Sequence, residues 1–188
     1  MYFATFASLI VAGFAVVVRA SPQGGPSSDI KGYSTSIAAS NGNVFTIAAN
    51  EQGQAETLTP IYTRKAEENE QDQLFTFYQS GSGFTIQNGE TGTFMAYCTY
   101  ETDMSPEYSQ ICADTNSLVW TLTGTTQNAQ GQYCGSIVYY PNDGSNAAWA
   151  ITSWDDGSTK EASLTLQKFK NNGDSDQQFC SAYFKESL

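Results

Sequence analysis

The sequence predicts an all-β fold of three repeats, a β-trefoil, and three observations carry that expectation. Short alternating apolar runs are separated by Asn-Gly, Asp-Gly and Gly-rich turns, the pattern of β-hairpins. The run ASLTLQKF answers AETLTPIY, and DQQFCSAYF answers DQLFTFY. Ile37, Ile86 and Ile137 recur 49 and 51 residues apart, while Phe75, Trp120 and Phe179 recur 45 and 59 apart. A period of this length means that no unit buries its apolar face alone and each must pack on its neighbours. Three units of about four strands can close on themselves, and a β-sandwich with accidental spacing is the alternative.

In chain order, residues 1–20 are expected to be a signal peptide. Residues 3–18 are almost wholly apolar, too short for a comfortable membrane span, and end in Val18-Arg19-Ala20, the small-residue spacing of a signal-peptidase site. The alternative is an N-terminal membrane anchor. Residues 21–32, SPQGGPSSDIKG, are poor in apolar side chains and broken by Pro and Gly, so they are expected to form a mobile leader. The trefoil domain is then residues 33–188. After cleavage the chain is expected to be extracellular, with no membrane association.

The first repeat opens on YSTSIAAS, turns at Asn41-Gly42 and returns through NVFTIAAN, with Ile37, Val44 and Ile47 as core candidates. AETLTPIY follows as a third strand, with Leu58 and Tyr62 expected to face inward, and a strand from Gln73 to Phe77 closes the unit. The central repeat runs from Gly83 to Leu122. It contains an alternating strand with Phe84 and Ile86, a turn at Asn88-Gly89, a strand from Phe94 to Cys98, an acidic loop, and a closing strand that can bury Leu118, Trp120 and Leu122. The third repeat is built from CGSIVYY, a turn over 141–144, AAWAITSW, ASLTLQKF and the closing DQQFCSAYF.

Aromatic residues make up 13% of the chain and charged residues only 14%, a balance that fits an extracellular β protein with polar, uncharged turns. Removing Arg19 with the signal segment leaves 7 basic against 19 acidic residues, a formal charge of −12. Such a surface repels phosphate backbones and anionic lipid, which argues against nucleic-acid partners.

Four cysteines in an exported chain point to two disulfides. Three pairings are open, and the one that keeps each bridge within a repeat joins Cys98 to Cys112 and Cys134 to Cys180. No C-x-x-C pair is present, so a zinc site is not expected and no metal or cofactor is assigned.

The central unit, FTIQNGETGTFMAYC followed by LVWTL, resembles a repeat of the ricin-B-like lectins, β-trefoils whose repeats commonly close on Gln-x-Trp. Gln73 and Gln177 match the family's glutamine, each followed two residues later by Phe, and Leu118 stands there in the one repeat that keeps the tryptophan. The resemblance implies a trefoil and a carbohydrate partner. In sugar-binding repeats of that family an aspartate commonly sits four residues after the turn glycine. The count from Gly42 and Gly92 gives Thr46 and Ala96, and in the third repeat it gives Ala148 from Gly144, or Ala150 when Ile151 is matched to Ile47. None of these accepts hydrogen bonds from a sugar diol as a carboxylate does. A site, if carried over, is therefore a non-standard one.

No enzymatic activity is expected. The chain has no histidine, which removes Ser-His-Asp and Cys-His arrangements. Glu101, Asp103, Glu107, Asp155 and Asp156 are the carboxylates that could act in pairs on glycosides, but they lie in polar loops where solvated surface charge is the ordinary role. Ligand-binding candidates are the residues that set aromatic rings beside amides and carboxylates. These are Tyr140 and Asn142 in YYPNDG, and Trp154 with Asp155 and Asp156. Two classes of function remain: a secreted carbohydrate-binding, lectin-like protein with a non-standard site, or a secreted module that binds an extracellular protein, such as a protease inhibitor or host-directed effector.

Overall fold

The computed structural model describes residues 34–48, 58–68, 70–99, 105–154, 161–182 and 184. The expected signal peptide and leader, residues 1–32, lie outside these. The first repeat contains β1 (Ser34–Thr35) and β2 (Ala38–Ala39), two halves of one interrupted strand, then β3 (Val44–Ile47), β4 (Thr59–Arg64) and β5 (Phe75–Ser80). The second contains β6 (Gly83–Asn88), β7 (Phe94–Tyr97), β8 (Ile111–Asp114) and β9 (Thr121–Gln127). The third contains β10 (Tyr133–Tyr139), β11 (Trp149–Ser153), β12 (Glu161–Lys168) and β13 (Phe179–Cys180). Short 3-10 turns over Gln71–Gln73 and Ser175–Gln177 lead into β5 and β13.

The first and last strands of each repeat pair into a closed ring. β1 pairs with β5, β5 with β6, β6 meets β9 at Phe84 and Trp120, β9 pairs with β10, β10 with β13, and β13 returns to β2. The middle strands form three hairpins, β3–β4, β7–β8 and β11–β12. These hairpins join each other through β4 with β8, β4 with β12, and a bridge between Gln110 and Thr165. Ring closure leaves few free edges, which is how a barrel avoids edge-to-edge association.

The recurring apolar residues explain the closure. Ile37, Ile86 and Ile137 are fully buried, as are Phe75, Trp120 and Phe179. Each fully buried side chain of this size contributes about 1.5–3 kcal/mol. Phe45 links two repeats by edge contacts, 6.4 Å from Phe75 and 4.9 Å from Phe179 between ring centres. Trp120 fills the position held by Phe in the other repeats, and its extra polar atom is satisfied because Nε1 donates to the Met95 carbonyl at 3.0 Å. Leu118 and Leu122 pack at the margin of this core.

Inward-facing Leu58 and Tyr62 are corrected by the structure. Ile61 and Thr63 point inward from β4, whereas Leu58 is 47% exposed and sits in left-handed backbone at φ 66°. The strand begins at Thr59, so the alternation is set one residue away from the reading that began at Leu58.

The motif glutamines are structural. Gln73 Nε2 donates to Thr46 Oγ1 (3.2 Å) and to the Lys65 carbonyl (3.1 Å), while its Oε1 accepts from the Glu67 amide (2.9 Å). Gln177 repeats the pattern with Thr152 Oγ1 (3.1 Å), the Lys168 carbonyl (3.1 Å) and the Lys170 amide (2.9 Å). Both are buried, and each ties a cap hairpin to the turn before its closing strand. In the central repeat Leu118 and Ala96 stand at the matching positions, replacing both partners with apolar groups.

Cys134 and Cys180 form a disulfide across directly paired residues of β10 and β13. Closing a loop of 46 residues this way contributes about 4 kcal/mol in the chain-entropy account. The second expected bridge is corrected: Cys98 and Cys112 are free thiols. The ladder places Cys112 opposite Ala96 and ties the Cys98 amide to the Gln110 carbonyl, so the two cysteines are diagonal neighbours on one face rather than a direct pair. Their side chains are hydrogen-bonded, which lowers the Cys98 thiol and, together with burial, raises that of Cys112.

Candidate functional site

Trp154 is positioned by the β11–β12 hairpin. Its amide donates to the Ser163 carbonyl at 3.1 Å, extending the ladder by one step beyond Ser153. Alternation from the buried Ile151 turns Thr152 and Trp154 to the opposite face, shared with the outward residues Ser163, Thr165 and Gln167 of β12. The indole Nε1 donates to Thr165 Oγ1 at 2.7 Å, and Gln167 Nε2 donates to the same oxygen at 3.2 Å. The ring is therefore held in one orientation while 55% of the residue remains exposed.

On the other edge of β12 runs the segment 108–110. The Tyr108 amide donates to the Leu166 carbonyl at 2.8 Å, and the Leu166 amide donates to the Ser109 carbonyl at 2.9 Å. Tyr108 is held at φ 64°, a left-handed conformation that costs a residue with a side chain about 1–3 kcal/mol, and is 65% exposed. Two exposed aromatic residues thus flank one strand, two strand spacings apart across it and about four residues apart along it, so that their backbones are separated by roughly 16 Å. Between them lie a hydroxyl and an amide from Thr165 and Gln167.

The other expected site residues fall elsewhere. Asp155 and Asp156 lie outside the described residues, as do Glu101 and Asp103. Tyr140 is exposed, and Asn142 lies on an exposed turn where Asp143 Oδ1 accepts the Ser145 amide at 2.8 Å. The hydroxyl and amide of Ser145 hold the Asp143 carboxyl below the usual carboxylate range. Tyr139 pairs with Trp149 at the start of β11, so Tyr140 is separated from Trp154 by the length of that strand. Six strand residues span roughly 20 Å, so Tyr140 and Asn142 belong to a different surface.

The expected family position is also relocated. Thr46 donates back to the Val44 carbonyl (3.2 Å) and Thr152 to the Ala150 carbonyl (3.3 Å), and each accepts from the motif glutamine of its repeat. Thr152, rather than Ala150 or Ala148, is thus the counterpart of Thr46; the longer third turn misled the count. Both threonines are buried. Neither position presents a carboxylate or an open hydroxyl to a sugar.

No protein-family model matches the chain, and no curated protein matches it in sequence. Solved structures do. The Macrolepiota procera ricin B-like lectin, determined in complex with lactose, aligns at a TM-score of 0.58 and 13% identity over 80% of this chain and 94% of its own. The Rhizoctonia solani agglutinin aligns at 0.60 and 14% identity, over 82% and 96%. The designed 3-fold symmetric protein ThreeFoil aligns at 0.59 and 11% identity, over 79% and 96%. The chain has the fold of the ricin B-like lectins. Within this trefoil, Trp154, Thr165 and Gln167 belong to the cap hairpin of the third repeat, and Tyr108 reaches it from the second. Thr165 and Gln167 were readable as the outward positions of ASLTLQKF, but Tyr108 lies in an irregular stretch with no periodicity to mark it.

Proposed function

We propose that the protein is an exported carbohydrate-binding module whose sugar contact centres on Trp154, with no catalytic role. The observation that carries this reading is the pinned, exposed indole, because a ring fixed before binding loses little conformational freedom when the apolar face of a pyranose stacks on it. Gln167 and Thr165 supply polar groups beside the ring, and Tyr108 a second aromatic surface. Asp155 and Asp156 follow Trp154 directly in the chain and are the carboxylates nearest in sequence for accepting from sugar hydroxyls. Export is supported by the apolar segment 1–20 and by the Cys134–Cys180 disulfide, a bond that persists in oxidising compartments. A glycan partner is supported further by the lactose bound to the Macrolepiota procera lectin of the same fold.

An extracellular protein partner is the second reading, and the exposed Tyr140 beside the Asn142 turn favours it. A glycan array with the parent protein and Trp154→Ala discriminates the two. The carbohydrate reading expects defined signals from the parent that the variant loses. A parent that binds no glycan overturns that reading and leaves the protein-partner one.

A further inference from the structure

We propose a second saccharide site on the outer wall of the barrel, where the third repeat meets the first, separate from the Trp154 face and resting on the reading that the protein binds carbohydrate. The site is a trough with a volume of about 780 Å³, within the range of small-ligand sites. Its floor follows from strand register. Ala38 is paired with Cys180, Cys180 with Cys134, and Cys134 with Thr126, one row of small side chains across four adjacent strands. The disulfide lies in the middle of that row and fixes the two central strands to each other. In the neighbouring row Ser136 is paired with Thr123, and Gln178 Nε2 donates to Ser136 Oγ at 2.7 Å. The long β9–β10 hairpin contributes Asn128 and Gln132 to the wall, and Phe169, Lys170, Asn171, Gly173 and Ser175 complete it. A second recess of about 460 Å³ continues past Ser36 and Ala38 towards Tyr133 and Ser181.

The lining selects the ligand class. Among the described residues no carboxylate lines the trough, and the nearby Asp174 carboxylate is taken up by Lys170, so a cation finds no free counter-charge there. The one ammonium group among the described lining residues, on Lys170, is engaged by Asp174 at 2.8 Å, so an anion finds no free positive charge among them either. What remains is a dense set of hydroxyls and amides with the half-exposed ring of Phe169 in the wall. Neutral oligosaccharides match that set, since each sugar residue offers several hydroxyls that both donate and accept and one apolar face for a ring.

The test uses the full mature chain and three neutral probes, chitotriose, cellotriose and maltotriose, each titrated while amide shifts are followed by two-dimensional NMR. Trp154→Ala is used beside the parent so that the first face cannot mask the second. Ser36→Tyr with Thr126→Tyr fills the trough from two exposed positions that contribute nothing to the core. At least one probe is expected to shift amides of β2, β10 and β13 equally in the parent and in Trp154→Ala, and to bind the filled variant at least tenfold more weakly. Shifts confined to residues around Trp154, with the filled variant binding as the parent does, overturn the trough and leave the Trp154 site intact. Loss of binding in the filled variant alone, with no change in Trp154→Ala, supports the trough as a site separate from the Trp154 face. No amide shift with any of the three probes overturns the trough outright.

Discussion

Single residues show how polar atoms are accommodated in a largely apolar barrel. Gln73 is buried with three hydrogen bonds, so Gln73→Leu strands the Lys65 carbonyl, the Glu67 amide and the Thr46 hydroxyl, a cost of about 2 kcal/mol or more. Adding Thr46→Ala reproduces the pairing of Leu118 with Ala96 in the central repeat and is expected to restore about 1 kcal/mol, because one stranded group is removed. Urea denaturation of the parent, single and double variants measures both steps. A double variant less stable than the single one contradicts the account. Asp72 makes a different case. Burial raises its carboxyl above the usual range against the opposing pull of Arg64, whose guanidinium reaches Oδ2 at 3.2 Å, while Oδ1 has no hydrogen-bond partner among the described residues. The folded state therefore holds this proton more tightly than the unfolded chain does, and the contribution is lost as pH rises through the raised value. Thermal melts from about pH 4 to pH 7 are expected to show a flatter pH profile for Asp72→Asn than for the parent. Identical profiles would remove Asp72 from the account.

At the scale of elements, backbone approach and register set what can change. Gly83 opens β6 where that strand meets Trp120, and a Cβ there falls 2.2 Å from the Trp120 carbonyl oxygen. That oxygen is fixed by the bond it accepts from the Phe84 amide at 2.9 Å, so the strands must separate to admit a methyl group. Gly83→Ala is expected to destabilise by about 1–3 kcal/mol through overpacking, measured as a lowered melting temperature. An unchanged melting temperature would show that the ring of strands is looser than its hydrogen bonds indicate. Register also decides the disulfide. Peptide mapping of the non-reduced protein is expected to yield Cys134 linked to Cys180, which face each other across β10 and β13. A peptide joining Cys98 to Cys134 would contradict the strand order itself.

For the whole molecule, what was legible in the sequence is the threefold core. Ile37, Ile86 and Ile137, with Phe75, Trp120 and Phe179, recur because three equivalent strand positions converge on one axis, and burial at each forces an apolar residue. The candidate site was only partly legible. Trp154 was marked by its place at the end of an alternating strand, beside an acidic turn. Tyr108 was not, because its position depends on pairing between the second and third repeats that no local pattern records. Leu58 was misplaced for a related reason: its left-handed backbone sets the start of β4, and a conformation of that kind leaves no periodic trace. The trough over Cys134 and Cys180 was invisible because it is made by small residues on four strands, each unremarkable in its own segment.

The central claim is that Trp154 is a pinned, exposed binding residue and not part of the core. Calorimetric titration of the best array glycan into the parent and Trp154→Ala, with thermal melts of both, tests it most directly. The account predicts affinity weaker by about 1–3 kcal/mol and a melting temperature nearly unchanged, because the half-exposed ring lies outside the buried core. Unchanged affinity, or a large fall in melting temperature, would contradict it.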